Sequence, residues 1–167
     1  MTDLRNLLKD ELQDLYDAEQ QIVKALPRMV SAASDEELRT AFEEHLEETR
    51  GHVERLERAF ELMGETAQTK PCKGIRGILS EGEEALEKGV NGAVKDALLI
   101  AGAQRVEHYE IAAYGTAASW ADELGLDDVA DLLGETLDEE EEADSKLTKI
   151  AEGGLVTSGV NESAKGR

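Results

Sequence analysis

Apolar residues recur at every third or fourth position over most of the chain, the spacing that places side chains on one face of an α-helix. One such stretch runs from about residue 3 to residue 33. A second follows the segment "SDEE", in which Ser34 and Glu37 match a capping box at a helix start. It continues to Gly64, a residue type that commonly ends helices. These patterns predict two consecutive helices joined by a short turn.

Two further helices are predicted at about residues 93–124 and 127–152, with Gly125 between them. Residues 64–92 are rich in glycine and form a long connection, in which "GILSEGEEALEKG" has the composition of a short helix. Short turns make neighbouring helices antiparallel, whereas a long connection can cross a bundle from end to end. The pattern therefore predicts an all-α fold. It is a four-helix bundle with a long crossover, containing a short helix, between the second and third helices.

A single domain is expected, because 167 residues are enough to build one hydrophobic core. We assign residues 1–152 to the bundle. The remaining segment 153–167, "GGLVTSGVNESAKGR", is rich in small and polar residues and lacks helical periodicity. It is predicted to be a flexible C-terminal tail.

The composition agrees with a helical protein and limits its partners. Hydrophobic residues make up 40% of the chain and aromatic residues only 4%, so aliphatic side chains must fill the core. The formal net charge is −20, and an acidic surface repels both nucleic acid and anionic membranes. We therefore expect no nucleic-acid and no membrane partner. Solubility explains most of the surface acid, but it does not explain acids on apolar helix faces.

Cysteine usage and the absence of long apolar runs indicate a compartment. Since Cys72 is the single cysteine, no internal disulfide can form and a zinc–thiolate site is excluded. The N-terminal residues "MTDLRNLLKDEL" lack the apolar centre of a signal peptide, and no apolar stretch approaches the length of a membrane span. A soluble protein in the reducing cytoplasm is expected.

Each of the four long helices carries an acidic residue on or beside its apolar face, near the middle of the helix. On the fourth helix, Glu140 and Asp144 continue the spacing of the leucines that surround them. Glu19 and Glu107 occupy equivalent places on the first and third helices. A single acid beside an apolar stripe usually reaches sideways to solvent. Its repetition at matching heights predicts one shared acidic centre.

The second helix contributes differently, because its polar residues lie along one edge of the predicted apolar face. Thr49 and Val53 occupy that face, and His45, Glu48 and His52 lie beside it. Glu48 and His52 are four residues apart and therefore project side by side. His45 is expected to form a hydrogen bond at this edge, with metal ligation as the alternative.

Metal ions are the expected compensation for this acidic centre. Five buried carboxylates would repel one another, and each ionised group left unpaired would cost several kcal/mol. Two divalent cations would offset nearly all of that charge, and carboxylate with imidazole ligands suits iron, which we favour, or manganese. The rival explanation is a network of ion pairs to Arg55 and Arg105. The candidate ligands are Glu19, Glu48, His52, Glu107, Glu110, Glu140 and Asp144.

Four stretches resemble the YciE/YciF-like family of bacterial stress proteins in the ferritin-like superfamily. They are "LYDAEQQI" (15–22), "HLEETRGHVERLE" (45–57), "AGAQRVEHYEIAAYGT" (101–116) and "LLGETLDEEEEADSKLTKIA" (132–151). The resemblance covers nearly the whole chain apart from the tail. It implies a ferritin-like bundle that commonly assembles as a homodimer.

The same resemblance implies a set of site residues. The metal-site glutamates of the bundle correspond to Glu19, Glu48, Glu107 and Glu140, with His52 and Asp144 in the partner positions. Di-iron proteins of this superfamily typically use Glu-x-x-His on two helices. Here the spacing is four residues rather than three, and an aspartate replaces the second histidine.

Three functions remain open on the sequence alone. The first is a dinuclear-metal oxidoreductase that consumes dioxygen or peroxide during stress. The second is metal binding or sequestration without catalysis. The third is a structural acidic bundle that acts in osmotic or general stress. No nucleotide-binding loop or nucleophile–base set is present to identify a substrate.

Overall fold

The structure, a computed structural model, describes residues 3–154 and 157–166. These residues contain six helices. The long helices α1, α2, α4 and α5 build a bundle, and α3 lies in the crossover between α2 and α4. The all-α prediction and the short crossover helix are confirmed. The helices are α1 (Leu4–Ala32), α2 (Glu36–Leu62), α3 (Lys73–Glu87), α4 (Gly92–Glu123), α5 (Asp127–Glu152) and α6 (Val160–Ala164).

The start of α2 differs by one residue from the predicted capping box. Asp35, not Ser34, is the N-cap, and its carboxylate accepts a hydrogen bond from the backbone N–H of Leu38 at 2.9 Å. Either side chain could cap a helix, since serine and aspartate are similarly good N-cap residues. The backbone N–H groups of both residues bind Asp96 of α4, so the side-chain hydrogen bond from Asp35 to Leu38 identifies the cap.

Asp96 fixes the turn between α1 and α2 from the first turns of α4. Its side chain is buried, and its two carboxylate oxygens accept the backbone N–H groups of Ser34 at 2.8 Å and Asp35 at 3.0 Å. Both N–H groups precede the first turn of α2 and have no partner within that helix. This buried carboxylate therefore holds one end of the bundle together.

Replacing Asp96 with alanine should lower the free energy of unfolding by about 2–3 kcal/mol, because hydrogen bonds to a charged group are lost and two donors lose their acceptors. Asp131→Ala, at an exposed position of α5, is the matched control. Urea denaturation followed by circular dichroism measures both. Equal stability of the two variants would contradict the role assigned to Asp96.

The core consists of two apolar clusters stacked along the bundle, which we name after Phe42 and Phe60. Along α1 the chain passes from the Phe60 cluster, at Leu15, to the Phe42 cluster, at Ile22. α5 follows the same order, whereas α2 and α4 follow the reverse order. α2 and α4 are therefore parallel, and the connection that carries α3 crosses the length of the bundle as predicted.

The C-terminal segment differs from the flexible tail predicted for residues 153–167. Residues 160–164 form α6, and Val160 is buried in the Phe42 cluster. A Cβ atom at Gly159 would lie 2.4 Å from the carbonyl oxygen of Ala151, so glycine permits the close return of the chain. The small residues that resembled a linker here serve packing. Residues 155, 156 and 167 lie outside the described residues.

None of the helices in the described ranges combines the length and the apolar character that crossing a bilayer requires.

Candidate metal centre

Six ionisable side chains lie inside the bundle, between the Phe42 cluster and the Phe60 cluster. They come from all four long helices: Glu19 of α1, His45 and His52 of α2, Glu107 and Glu110 of α4, and Glu140 of α5. None of the six is more than 6% exposed. The predicted acids of α1, α4 and α5 therefore converge, whereas α2 contributes two histidines in place of its predicted acid, Glu48.

Each of these six side chains has at least one buried atom without a hydrogen-bond partner. In the part of the chain that the structure describes, every buried side-chain nitrogen or oxygen without a partner belongs to them. Buried polar atoms are normally satisfied, so a group of orphaned atoms facing one point indicates a missing ligand. The atoms are Glu19 Oε2, His45 Nε2, His52 Nδ1, Glu107 Oε2, Glu110 Oε1 and Oε2, and Glu140 Oε1 and Oε2.

The donor atoms form two groups of three that share Glu140. In one group, His52 Nδ1 lies 3.0 Å from Glu140 Oε1 and 3.3 Å from Glu19 Oε1. In the other, His45 Nε2 lies 3.5 Å from Glu107 Oε1 and 3.8 Å from Glu140 Oε2. Each group offers two carboxylates and one imidazole nitrogen within 4.8 Å of one another. The arrangement suits two ions bridged by Glu140.

An outer carboxylate orients His52. Its Nε2 lies 2.8 Å from Glu139 Oε2, and Arg55 donates two hydrogen bonds, of 2.6 and 2.7 Å, to the same carboxylate. The Arg55 guanidinium lowers the pKa of Glu139, which keeps that residue ionised and able only to accept. Nε2 must therefore donate its proton, so the ring would present the lone pair of Nδ1 to the cluster once a bound metal ion displaces the proton on that nitrogen.

Glu48 has the equivalent role beside His45. Its Oε2 lies 3.3 Å from His45 Nδ1, and this contact lowers the pKa of Glu48. When His45 donates from Nδ1, the lone pair of Nε2 faces Glu107 and Glu140. In metal sites, carboxylates that do not themselves bind the ion commonly hold the ligating histidines in this way.

Tyr114 fixes the carboxylate of Glu19. Its phenol is fully buried and donates a hydrogen bond of 2.5 Å to Glu19 Oε1. Burial, together with the charge of Glu19, raises the pKa of Tyr114, which keeps the phenol protonated and donating. Glu19 Oε2 is then the oxygen left for a ligand.

The charges of the cluster are strongly coupled. Burial raises the pKa values of Glu107 and Glu110, and the neighbouring carboxylates raise them further. Burial alone would lower the pKa of His52, but Glu140 and Glu19 outweigh it and raise that pKa to about 10. Without cations, the cluster therefore retains protons on groups that would ordinarily lose them near neutral pH.

Five of the seven predicted ligands meet in this cluster, and two do not. Glu48 points outward, with 46% of its side chain exposed, and reaches the centre only through His45. Asp144 is 22% exposed and binds Gln104 at 3.0 Å and His108 at 3.3 Å. The arrangement of α2 and α5 places both residues at the flank. The five that meet are Glu19, His52, Glu107, Glu110 and Glu140.

The rival network of arginine ion pairs is wrong for the buried carboxylates. Arg55 binds Glu139 at the edge of the cluster, and Arg105 is exposed and donates to the carbonyl of Ala101 in its own helix. Among the described residues, no arginine or lysine forms an ion pair with any of the four buried glutamates. Protons or bound cations are left to balance their charge.

The sequence prediction placed His45 and His52 at an edge, but both are buried, and His45 was not among the predicted ligands. The buried side of α2 follows a strict four–three spacing that includes both histidines, so this signal was present in the sequence. It was obscured because Leu46 and Val53 define a second, adjacent apolar stripe, which is only half-buried. The buried series is Leu38, Phe42, His45, Thr49, His52, Leu56 and Ala59.

Known proteins resemble this chain in sequence and in fold. Residues 3–164 match the family described as "Domain of unknown function (DUF892)". The chain is 45% identical to Protein YciF of Escherichia coli (strain K12) over 141 residues, which is 84% of this chain and 85% of YciF.

Three solved structures extend the likeness to the fold. YcfI from Rhodopseudomonas palustris has a TM-score of 0.88 at 42% identity, covering 90% of this chain and 96% of that one. The E. coli stress protein YciF has a TM-score of 0.86 at 42% identity, covering 89% and 94%. A protein from Xanthomonas campestris pv. campestris has a TM-score of 0.69 at 26% identity, covering 88% and 90%. With its family match, its 45% identity to YciF and its shared helical bundle, this chain belongs to the DUF892 family of YciF-like proteins.

Proposed function

We propose that the protein binds two divalent transition-metal ions at the centre of the bundle and uses them against dioxygen or peroxide during stress. One observation carries the proposal: eight buried donor atoms without hydrogen-bond partners belong to six residues from four helices. A buried polar atom left unsatisfied costs about 1–3 kcal/mol, so either retained protons or bound cations must satisfy these atoms. The stress role is suggested by the relative YciF, which is described as a stress protein.

The charge and chemistry of the donors favour two ions. Four buried glutamates carry four negative charges when ionised, which two divalent cations balance when both imidazoles are neutral. Mixed carboxylate and imidazole ligands, with no thiolate, suit iron or manganese better than the softer ions. Iron is favoured because it supports reaction with dioxygen.

The residues of the chain would prepare the site for that chemistry. A bound pair of metal ions would supply Lewis acidity and, for iron or manganese, redox change. Glu139 and Glu48 hold the histidine rings in the tautomers that bind metal, and Tyr114 holds Glu19 by hydrogen bonding. The two apolar clusters exclude water on both sides and strengthen these electrostatic interactions.

Metal analysis followed by an activity assay tests the proposal. Protein from cells supplied with iron and manganese should contain close to two ions per chain, and the loaded protein should consume peroxide or dioxygen faster than the metal-free protein. Two ions without consumption would indicate sequestration instead of oxidative chemistry. An absence of bound metal after loading at neutral pH would end both versions.

Glu139→Gln should weaken metal binding by about 10- to 100-fold, the usual effect of removing a carboxylate that orients a histidine ligand. The amide keeps the shape of the side chain but no longer forces Nε2 of His52 to be the donor. Isothermal titration with Mn²⁺ measures the affinity. The matched control is Glu135→Gln, because Glu135 contacts Arg55 at 3.4 Å but not His52. Equal affinities of the two variants would contradict the orienting role.

A further inference from the structure

A cavity of about 640 Å³ lies between α2 and α5 and ends on the candidate metal centre. Its walls carry acidic residues of both helices, and its floor includes His45 and Glu107. Both floor residues are more than nine-tenths buried, yet each lines this cavity. We call this cavity, with its acidic walls, the α2–α5 mouth.

The floor of the mouth holds donor atoms without partners. His45 Nε2 and Glu107 Oε2 lack any hydrogen bond, and the two residues form one of the two groups of three together with Glu140. An acidic wall alone would be ordinary in a chain with a net charge of −20. Unsatisfied ligand atoms at its inner end distinguish this wall from the rest of the surface.

The charges of the mouth are arranged for a cation. Asp138, Glu141 and Glu142 line it, and none of the three forms an ion pair with another described residue. The ion pair between Lys146 and Glu44 joins α5 to α2 at this opening, and Lys149 also lines it. An opening between low-dielectric walls on which one sign of charge is in excess concentrates counter-ions and raises their association rate.

We propose that the α2–α5 mouth is the route by which hydrated divalent cations reach the centre, first meeting His45 and Glu107 and then Glu140. This inference rests on the proposed metal function and adds its access path. The same field admits small neutral molecules such as dioxygen and hydrogen peroxide and repels anions. The Lys146–Glu44 pair lies at this route and moderates the negative field that a cation meets.

The test compares association rates of Co²⁺, followed by stopped-flow absorbance in metal-free protein. The triple variant Asp138→Asn, Glu141→Gln, Glu142→Gln should bind Co²⁺ about three- to tenfold more slowly at low ionic strength, with unchanged stoichiometry. Added salt should reduce this difference, because it screens exposed charges. The matched control neutralises three exposed glutamates outside the mouth: Glu54, Glu81 and Glu84.

Lys146→Met provides a test in the opposite direction, since removing a cation from the mouth should make Co²⁺ association about two- to threefold faster. Equal rates for the acidic triple variant and its control, in proteins that bind the full complement of Co²⁺, would overturn the access route. Absence of Co²⁺ binding by the wild-type protein would instead overturn the proposed function. The two failures are therefore distinguishable.

Discussion

Glu140→Ala is expected to abolish binding of both metal ions, whereas Glu19→Ala and His45→Ala are each expected to abolish binding of one. The difference follows from geometry, because Glu140 has a donor oxygen in each group of three while the other two residues belong to one group each. The loss of affinity should exceed the about 10- to 100-fold effect of an outer carboxylate, since a direct ligand is removed. Elemental analysis after loading with Mn²⁺ or Fe²⁺ gives ions per chain.

Glu54→Ala is the control for this series, because Glu54 is exposed on the same helix as the two histidines. Circular dichroism of each variant checks that the bundle still forms. Two ions retained by Glu140→Ala would show that the shared carboxylate has been misassigned. Loss of one ion in all three ligand variants would show that the two groups are not bridged.

The stability of the metal-free protein should fall as pH rises from about 6 to 9, and bound metal should reverse this trend. Burial and nearby carboxylates raise the pKa values of Glu107 and Glu110 above the ordinary 4.5. At pH values between the unfolded and the folded pKa, the unfolded chain has lost these protons and the folded chain has kept them. Rising pH then lowers the free energy of unfolding.

His52, a base rather than an acid, also makes the folded state less stable as pH rises. Burial lowers its pKa, but Glu140 and Glu19 raise it overall, from 6.5 to about 10. A raised histidine pKa stabilises the folded state fully below pH 6.5, and this contribution is lost as pH rises toward 10. The lowered pKa values of Glu48 and Glu139 act only in acid, below 4.5, and leave this window unaffected.

Urea denaturation at several pH values, with chelator or with Mn²⁺, measures both trends. Between pH 6 and 9 the metal-free protein should lose more than about 1.4 kcal/mol, the free energy of one pKa unit. Metal at a thousand times its dissociation constant should add about 4 kcal/mol, and this gain should increase with pH because protons compete for the ligands. Glu110→Gln should flatten the metal-free profile, and the exposed control Glu84→Gln should not. A metal-free profile that rises with pH would contradict the assigned protonation.

The fold could be predicted from the sequence because its signals are local and repeated. Three- and four-residue spacing gave the long helices, and glycines such as Gly64 and Gly125, both with positive φ, mark their ends. The length of the connection between α2 and α4 predicted that it crosses the bundle, which makes these two helices parallel. The C-terminal helix was missed because α6 has only five residues and is held by the close approach of Gly159 to Ala151, a tertiary contact.

The buried cluster was predicted in outline, but the orientation of α2 places His45 inside it and Glu48 outside it. When a helix sequence has two adjacent faces that could be buried, the sequence alone does not show which one faces the core. In α2 these faces carry either Leu46 and Val53 or His45 and His52. Packing against α5 turns the histidines inward, because Glu139 of α5 binds both His52 and Arg55 of α2. The same packing turns Glu48 outward and gives it the orienting role beside His45.

Anomalous diffraction from crystals grown with Mn²⁺ tests the central claim most directly, because it locates the metal ions themselves. The expected map shows two peaks inside the bundle, one between Glu19 and His52 and one between His45 and Glu107, with a Glu140 oxygen on each. A map with no interior peak, or with peaks only on the acidic surface, would contradict a dinuclear centre in this protein.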